Sequence, residues 1–268
     1  MSFIHADGVH DVIITGENGT IDGQGDVWWN MWRQRTLQYT RPSLVEFMNS
    51  RDIIISNVIF KNSPFWNIHP VYSSNVVVRY VTILAPHDSP NTDGVDPDSS
   101  SNVCIEDSYI STGDDLVAVK SGWDEYGIAF GRPSTDITIR RITGSSPFAG
   151  IAVGSETSGG VKNVLAENIN LYNMGVGIHI KTNMGRGGFI RGQRVIQPGL
   201  IRGLKDAPFK GVCLSNINLH SAQRTRSNTP PWKCSDVSEG SVQVSPSPCF
   251  ELASTNGAGG CSDHFRNL

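Results

Sequence analysis

The chain has 268 residues, of which 38% are hydrophobic and 18% charged, so it can bury a sizeable core as one domain. Its net charge of −3 at pH 7 argues against a nucleic-acid partner, which would need a basic face. No apolar run approaches the roughly 18 residues of a membrane span, so we expect none.

The N-terminus carries no leader pattern. Residues Met1 to Asp11 lack the basic start and the apolar stretch of a signal peptide, and a strand-like pattern begins almost at once. On this interpretation the protein is either cytosolic or lacks its natural start. The 28 glycines and the absence of a convincing helical period predict a helix-poor fold.

Strand-like segments recur along the chain, each headed by an Asp or Asn and continued by alternating aliphatic residues. This alternation is typical of short strands with one face packed inward. The clear copies are 23, 27, 34 and 27 residues apart. In chain order they begin at Asp52, Asn75, Asn102, Asp136 and Asn163, with weaker copies at Asp11 and Gly211.

This repeat predicts an all-β fold, a single-stranded right-handed parallel β-helix. The segments between copies are too short for regular crossover helices, and a β-propeller would need longer, antiparallel blades. Because the spacing varies, we expect loops of different lengths between strands that stack in parallel.

The C-terminal part departs from the repeat. We expect the β-helix to occupy residues 1–220, and residues 221–268 to form a Ser/Pro-rich tail in which a disulfide joins two of three cysteines. Only one strand set separates the copies at Asn163 and Gly211, where two would fit, so the chain is predicted to lack a coil near 188–208. The three tail cysteines are Cys234, Cys249 and Cys261.

Three aspartates fall in two polar motifs on neighbouring predicted coils, Asn91-Thr92-Asp93-Gly94 and Gly113-Asp114-Asp115. Asp93 precedes the other two by 21 and 22 residues, about one coil, so the three would meet at a strand spacing of about 4.8 Å. Asp114 and Asp115 can both face one cleft only if the strand ends near Gly113. Clustered carboxylates raise one another's pKa, which suits acid–base hydrolysis of a glycosidic bond.

The same acidic segment has an alternative interpretation as a calcium loop. Asp93, Asp96 and Asp98 alternate as the ligands of a hard cation do. However, Cys104 stands where a closing bidentate Glu would be needed, so we expect no metal at this segment.

Five motifs, one per coil, resemble those of the polygalacturonases of glycoside hydrolase family 28, over roughly residues 11 to 190. Their extended forms are more similar to the plant and bacterial branch that contains exo-acting enzymes. The motifs are Gly19-Thr20-Ile21-Asp22-Gly23-Gln24-Gly25, Asn91-Thr92-Asp93-Gly94-Val95-Asp96-Pro97, Gly113-Asp114-Asp115, Gly154-Ser155-Glu156 with Ser158-Gly159-Gly160, and Ile180-Lys181-Thr182 with Gly185-Arg186-Gly187-Gly188.

The resemblance implies an enzyme that hydrolyses α-1,4-galacturonosyl linkages in pectin or oligogalacturonides with inversion and without a cofactor. It implies an extracellular or cell-wall location, and we expect a monomer. Asp114 corresponds to the general acid, and Asp93 and Asp115 to the pair that polarises the attacking water. For an inverting enzyme we predict carboxyl groups about 6.5 to 9.5 Å apart.

Substrate binding is expected to involve cations, because each galacturonate ring carries a carboxylate. Lys181 corresponds to the lysine of the family's Arg-Ile-Lys motif, and Arg186 would add a planar, two-pronged contact. Asn91 and His179 complete the expected substrate-binding set.

Two positions depart from the family pattern. Phe148 stands where the family has the histidine of Gly-His-Gly, and His179 replaces the arginine of Arg-Ile-Lys. The second change removes a fixed positive charge, since histidine is only partly protonated near neutrality, whereas Phe148 would offer an apolar surface to a sugar ring. The alternative function is therefore a catalytically impaired β-helix that binds pectin or oligogalacturonides.

Aromatic residues leave a further question open. Trp28, Trp29 and Trp32 form a cluster after the first coil, either as a cap on the solenoid or as a sugar platform. Trp66 and His69 either line the cleft or pack as a Trp beside a hydrogen-bonded His.

Overall fold

The structure is a computed structural model that describes residues 2–195, 200–202, 209–210, 212–218, 233–235, 237–238, 241–245 and 249, with side chains for 2–190 and 249. In chain order the elements are β1 (Ile4–Asp7), β2 (His10–Asp22), α1 (Asp26–Arg33), β3 (Val45–Met48), β4 (Arg51–Lys61), β5 (Ile68–Val71), β6 (Ser74–Arg79), β7 (Thr82–Leu84), β8 (Ser101–Ser111), β9 (Val117–Val119), α2 (Asp124–Phe130), β10 (Ser134–Ser145), β11 (Ala149–Val153), β12 (Val161–Glu167), β13 (Asn170–Leu171), β14 (Val176–Ile180), β15 (Ile190–Val195), β16 (Leu200–Arg202), β17 (Phe209–Lys210), β18 (Val212–Asn218), β19 (Lys233–Ser235), β20 (Val237–Ser238) and β21 (Ser241–Ser245).

The strands stack in parallel, one coil upon the next. One sheet runs β2-β4-β6-β8-β10-β12-β15-β18-β21, with β7 and β13 paired at its side. The second sheet consists of β1-β3-β5 and β9-β11-β14-β16-β19, joined through Val95, which forms parallel bridges to Ile68 and Val117. The predicted right-handed parallel β-helix is confirmed. The described strands pair in parallel, unlike the antiparallel blades of a β-propeller.

The Asp and Asn residues that head the clear copies form a ladder at one corner of the solenoid, here called the corner ladder. All five have left-handed backbone, with φ between 52° and 59°, which Asp and Asn tolerate better than most residues. Asn75 Nδ2 donates to Asp52 Oδ1 at 2.7 Å, and Asn102 Nδ2 donates to Asn75 Oδ1 at 2.8 Å. Asn163 donates likewise to Asp136. The predicted stacking of the Asx-headed strands is confirmed.

Aliphatic residues one position after each corner form rows inside the solenoid. Side chains on alternating positions of these strands point inward and stack on their equivalents in the next coil. One row has between 0% and 1% of its surface exposed, and each side chain contributes about 1.5–3 kcal/mol of burial energy. Its members are Ile53, Val76, Val103 and Ile137.

Two short helices interrupt the described coils. The helix α1 has 8 residues and α2 has 7, too few for the period of 3.6 to show in the sequence. Among the described residues, no helix is long and apolar enough to span a membrane.

Strands continue into the C-terminal part. The strands β15 and β16 lie within 188–208, and β19 to β21 lie beyond residue 220. Cys249 is disulfide-bonded, whereas Cys261 lies outside the described residues, so the pairing of two tail cysteines stays a prediction. The domain boundary at residue 220 and the missing coil stay predictions.

Candidate active site

The fold brings the three aspartates of the two polar motifs together. One carboxylate oxygen from each of Asp93, Asp114 and Asp115 lies within 4.8 Å of the others, and these residues are called the acid cluster. The strand β8 ends at Ser111 and β9 begins at Val117, so the adjacent aspartates lie on a turn and can face the same side. At Gly113 an added Cβ would collide with the carbonyl oxygen of Ser89, so the tight turn requires glycine.

The carboxyl groups are closer than the sequence predicted. Oxygens within 4.8 Å do not meet the separation of about 6.5 to 9.5 Å expected for an inverting glycosidase, and that prediction is wrong. Two ammonium groups permit the close approach: Lys120 Nζ is 3.7 Å from Asp93, and Lys181 Nζ is 2.7 Å from Asp115. The spacing of these carboxyl groups therefore does not by itself indicate the stereochemistry of hydrolysis.

Burial holds protons on part of the acid cluster. Burial, together with the charges of Asp114 and Asp115, outweighs the opposing charge of Lys120 and raises the pKa of Asp93 to about 7. Burial and the neighbouring charge of Asp115 also raise the pKa of Asp114. The cluster is therefore able to hold a proton in weakly acidic solution.

Lys120 lies at the centre of a buried group of charges. Its Nζ donates to Glu156 Oε2 at 3.2 Å and lies 3.5 Å from Asp96 Oδ1 and 4.5 Å from the Trp66 ring centroid. Burial lowers the pKa of Lys120, but the surrounding carboxylates, Asp96 first, outweigh it, and the pKa is raised overall. Lys120 therefore stays a cation and stabilises the charged form of the carboxylates around it.

Lys181 reaches the acid cluster from the end of β14. Its Nζ donates to Asp115 Oδ2, and Asp115 Oδ1 accepts from the backbone N–H of Ala149 at 3.0 Å. These contacts fix the Asp115 carboxylate, which is 1% exposed, directly behind the cleft. The Lys181 side chain is 28% exposed, so its ammonium is accessible from the cleft.

Arg41 fixes the opposite wall. Its guanidinium donates to the carbonyl oxygens of Pro64 and Pro90 at 3.0 and 2.6 Å, and to Asn91 Oδ1 at 2.6 Å. The guanidinium also lies 4.9 Å from the ring centroid of Phe65. Burial lowers the pKa of Arg41 to about 10, so it is still charged at neutral pH.

An open cleft of about 460 Å³ lies over the acid cluster. The predicted residues Asn91, Asp93, Asp114 and Lys181 line it, whereas Asp115 lies just beneath. It is lined by Trp32, Leu37, Tyr39, Thr40, Arg41, Phe65, Trp66, Asn91, Asp93, Asp114, Lys120, Trp123, Ser155, Glu156 and Lys181.

The other predicted substrate-binding residues lie outside this lining. Arg186 forms an ion pair with Asp124 at 2.9 Å, and its guanidinium stacks on Trp123 at 4.2 Å. His179 lies on β14 and pairs in register with Ala152 of β11. The departing residue Phe148 is 52% exposed and does not line the cleft either. Their roles in binding stay predictions.

The calcium loop does not form from the predicted residues. Asp96 lies against Lys120, whereas Asp98 Oδ1 accepts from the backbone N–H of Gly122 at 2.8 Å and Asp98 Oδ2 lies 3.7 Å from His69. Since Asp96 and Asp98 already have different partners, they do not converge with Asp93 on one cation.

Some of the aromatic residues in question pack in the interior, and others line the cleft. Trp29 is buried and its Nε1 donates to the Ser63 carbonyl oxygen at 3.1 Å, whereas Trp32 lines the cleft. Trp66 also lines the cleft, and the buried His69 packs against it edge-on at 4.7 Å and contacts Glu46 at 3.2 Å.

Sequence reasoning missed Arg41, Lys120 and Glu156 as site residues. Lys120 had a signal: it follows three buried aliphatic residues, Val117 to Val119, and a lysine directly after such a strand needs a partner. Glu156 stands in a quoted motif, and its contact with Lys120 spans 36 residues. Arg41 carries no comparable local signal.

A β-helix with clustered carboxyl groups beneath a cleft of aromatic and cationic side chains has the features of a carbohydrate-active hydrolase. The model of the glycosyl hydrolases family 28 matches residues 1–195. The chain therefore belongs to this family, which confirms the family resemblance of the sequence motifs; the exo-like branch stays a prediction.

Known polygalacturonases are similar to the chain in sequence. It is 44% identical to a probable polygalacturonase of Vitis vinifera over 94% of its own length and 60% of the relative's. It is 35% identical to an endo-polygalacturonase of Pectobacterium carotovorum subsp. carotovorum, over 66% of its own length and 44% of the relative's. The chain thus spans less than two thirds of these relatives.

Solved structures agree on the architecture. A hyperthermoactive exopolygalacturonase from Thermotoga maritima superposes with a TM-score of 0.72 at 28% identity, over 81% of this chain and 66% of that one. A polygalacturonase from Erwinia carotovora ssp. carotovora gives 0.68 at 24% identity, over 94% and 72%, and supports the fold alone.

Proposed function

We propose that the protein hydrolyses α-1,4-galacturonosyl linkages in pectin or oligogalacturonides with inversion. The observation that carries the proposal is the acid cluster, whose three carboxylate oxygens lie within 4.8 Å of one another at the floor of an open cleft. Family membership supports the linkage and the stereochemistry.

Asp114 is the general acid. It lines the cleft, and its raised pKa favours the protonated form that can be transferred to the glycosidic oxygen. Asp93 and Asp115 hold the attacking water between them, and Asp115, paired with Lys181, accepts its proton, because the raised pKa of Asp93 favours a protonated carboxyl there in weakly acidic solution. Two oxygens no more than 4.8 Å apart can share one water at a hydrogen-bond distance of about 2.8 Å from each.

Lys181 recognises the substrate carboxylate. It is the more exposed of the two lysines, with 28% of its side chain accessible against 5% for Lys120. Lys181 Nζ also donates to Asp115. A bound substrate carboxylate would therefore share this ammonium with the acid that activates water. Asn91 also lines the cleft and is oriented by Arg41.

The two departures from the family pattern leave the cleft lining in place. Neither Phe148 nor His179 is among the residues that line it, which supports hydrolysis over the impaired-binding alternative.

The enzyme acts on pectic polysaccharide outside the cell, as a monomer and without a metal. Chelation by EDTA should leave turnover unchanged, and gel filtration should give the mass of one chain.

Asp114→Asn tests the proposal. The amide cannot transfer a proton, so the release of reducing ends from hexagalacturonate should fall by about 10²–10⁴-fold, while calorimetry should find binding nearly unchanged. Asp11→Asn, at an aspartate with a side chain 75% exposed, is the matched control and should keep wild-type turnover.

The stereochemistry can be read directly. Proton NMR of the first turnovers should show the β-anomer at the new reducing end, as inversion of an α-linkage requires. If the wild-type protein binds hexagalacturonate but releases no reducing ends, hydrolysis is ruled out and the impaired-binding alternative is supported.

A further inference from the structure

Two hydrogen bonds join the neighbouring coils that carry the acid cluster. The backbone N–H of Gly113 donates to Thr92 Oγ1 at 2.9 Å. The backbone N–H of Gly94 donates to the carbonyl oxygen of Asp115, also at 2.9 Å. Thr92 and Gly94 flank the aspartate of the first coil, and the other two partners flank Asp114. The two bonds therefore set a register in which the aspartates of the two coils lie side by side.

The Thr92 hydroxyl belongs to a chain of hydrogen bonds with a fixed direction, here called the hydroxyl chain. Ser89 Oγ donates to the carbonyl oxygen of Pro86 at 2.5 Å, which uses the single proton of that hydroxyl. Because Ser89 Oγ also lies 2.7 Å from Thr92 Oγ1, it accepts the Thr92 proton. The Thr92 oxygen is then the acceptor for the Gly113 N–H. Thr92 is 0% exposed, so these bonds are shielded from solvent.

The loop at the far end of the hydroxyl chain is itself fixed. Arg41 donates to the carbonyl oxygen of Pro90 at 2.6 Å. At Gly113 an added Cβ would lie 2.8 Å from the Pro86 carbonyl oxygen, so the turn packs directly on residues 86–90. The hydroxyl chain therefore fixes the turn of the second coil against this loop of the first.

Without the Thr92 hydroxyl the turn would lose this constraint. The buried Gly113 N–H would lack its acceptor, and because an unpaired buried donor is costly, the turn would shift toward another one. Such a shift moves Asp114 and Asp115 relative to Asp93. The water between Asp93 and Asp115 depends on oxygens no more than 4.8 Å apart, so a small displacement weakens its hydrogen bonds.

We propose that Thr92 is a positioning residue that sets the distance from Asp93 to Asp114 and Asp115. It is not among the residues of the described cleft lining, and it acts through the turn at Gly113. Its effect on turnover rests on the proposed hydrolysis, whereas its effect on the protonation of the acid cluster does not.

Thr92→Val and Thr92→Ser test the role in turnover. Valine keeps the shape of the side chain without the hydroxyl, so kcat on hexagalacturonate should fall by about 10- to 100-fold. KM should stay near the wild-type value, because Lys181 lies outside the hydroxyl chain. Serine keeps the hydroxyl and should restore kcat to within about twofold of wild type. Thr138→Val, at a half-buried threonine of β10, is the matched control and should keep wild-type kcat.

The protonation of Asp93 gives a second measurement that needs no turnover. Burial, with the charges of Asp114 and Asp115, outweighs Lys120 and raises the pKa of Asp93 to about 7. Moving the two neighbouring acids away removes part of this rise, so in Thr92→Val the pKa should fall to about 6 and in Thr92→Ser it should stay near 7. Carbon-13 NMR titration of the aspartate carboxyl groups measures both.

The outcomes separate positioning from a merely structural role. A Thr92→Val protein that melts at a lower temperature but keeps wild-type kcat and the wild-type pKa of Asp93 would overturn the proposal, as would equal losses in Thr92→Ser. If the wild type releases no reducing ends, yet the pKa of Asp93 falls in Thr92→Val alone, the positioning role stands and the hydrolytic function fails.

Ser89→Ala keeps the proposal testable should Thr92→Val not fold. The change removes the acceptor of the Thr92 proton and leaves the Ser89 carbonyl oxygen, at 3.4 Å, as a poorer one. Both kcat and the pKa of Asp93 should then fall, by less than in Thr92→Val. Wild-type values of both in Ser89→Ala would overturn the role of the hydroxyl chain.

Discussion

The corner ladder and the cleft belong to the same coils but accommodate polar side chains in opposite ways. At the corner, Asp52, Asn75 and Asn102 hydrogen-bond at the surface, one per coil. In the cleft, Asp93 and Lys120 are 4% exposed and depend on one another's charge. Removing one side chain from the corner ladder therefore costs only surface hydrogen bonds. Removing one charged side chain from the cleft leaves its buried partners without an opposite charge, which costs more.

Lys120→Met should have the largest effect on stability. The change keeps much of the side-chain volume but leaves Asp93, Asp96 and Glu156 without their shared cation, which should lower the free energy of unfolding by about 3–5 kcal/mol at pH 7. Urea denaturation measures the loss. Lys162→Met, at an exposed lysine of β12, is the control and should stay within about 0.5 kcal/mol of wild type. If both lysine variants lost the same free energy of unfolding, the buried charges would be no more sensitive than surface ones, contrary to the comparison above.

Asp93→Asn should change how stability depends on pH. The folded-state pKa of Asp93 is raised to about 7 from an ordinary 3.8, so folding favours its protonated form. This contribution is present below pH 4 and is lost as the pH rises to about 7. The variant should therefore lose less stability than wild type between pH 4 and 7, by a few kcal/mol.

Thermal or urea unfolding at several pH values measures this difference. Glu17→Gln, at an exposed glutamate of β2, should follow the wild-type curve. Parallel curves for wild type and Asp93→Asn would mean that burial does not hold the proton.

Asn75→Ala should have the smallest effect. Alanine loses two ladder hydrogen bonds and must adopt a φ of 56°, which costs about 1–2 kcal/mol. Asn75→Gly loses the same bonds but tolerates the backbone, so it should cost less than Asn75→Ala in urea denaturation. A larger loss for Gly would show that the ladder does not depend on the left-handed corner.

The solenoid was predictable because each coil repeats one local rule. An Asx residue at the corner followed by alternating aliphatics is visible in the sequence, and it places Asp93 one coil before Asp114 and Asp115. The juxtaposition of the three acids therefore followed from spacing and a turn at Gly113.

The cation set and the carboxyl separation were not predictable in the same way. Arg41 acts through carbonyl oxygens up to 49 residues away in sequence, and no local pattern reports such contacts. The predicted separation of the acids came from inverting glycosidases in general, and it took no account of cations such as Lys120, whose charge reduces the repulsion between the acids here. Short helices such as α1 escaped notice since 8 residues contain barely two turns.

The helix α2 occupies the longest of the intervals between clear copies, 34 residues from Asn102 to Asp136, against 23 from Asp52 to Asn75. The corners at both ends remain in register, so the additional chain leaves the stack without shifting the acids. A loop of this kind can change length at roughly 0.6 kcal/mol per doubling. The segment from Ser121 to Pro133 can thus change in length while Lys120 and the acid cluster keep their places in the stack.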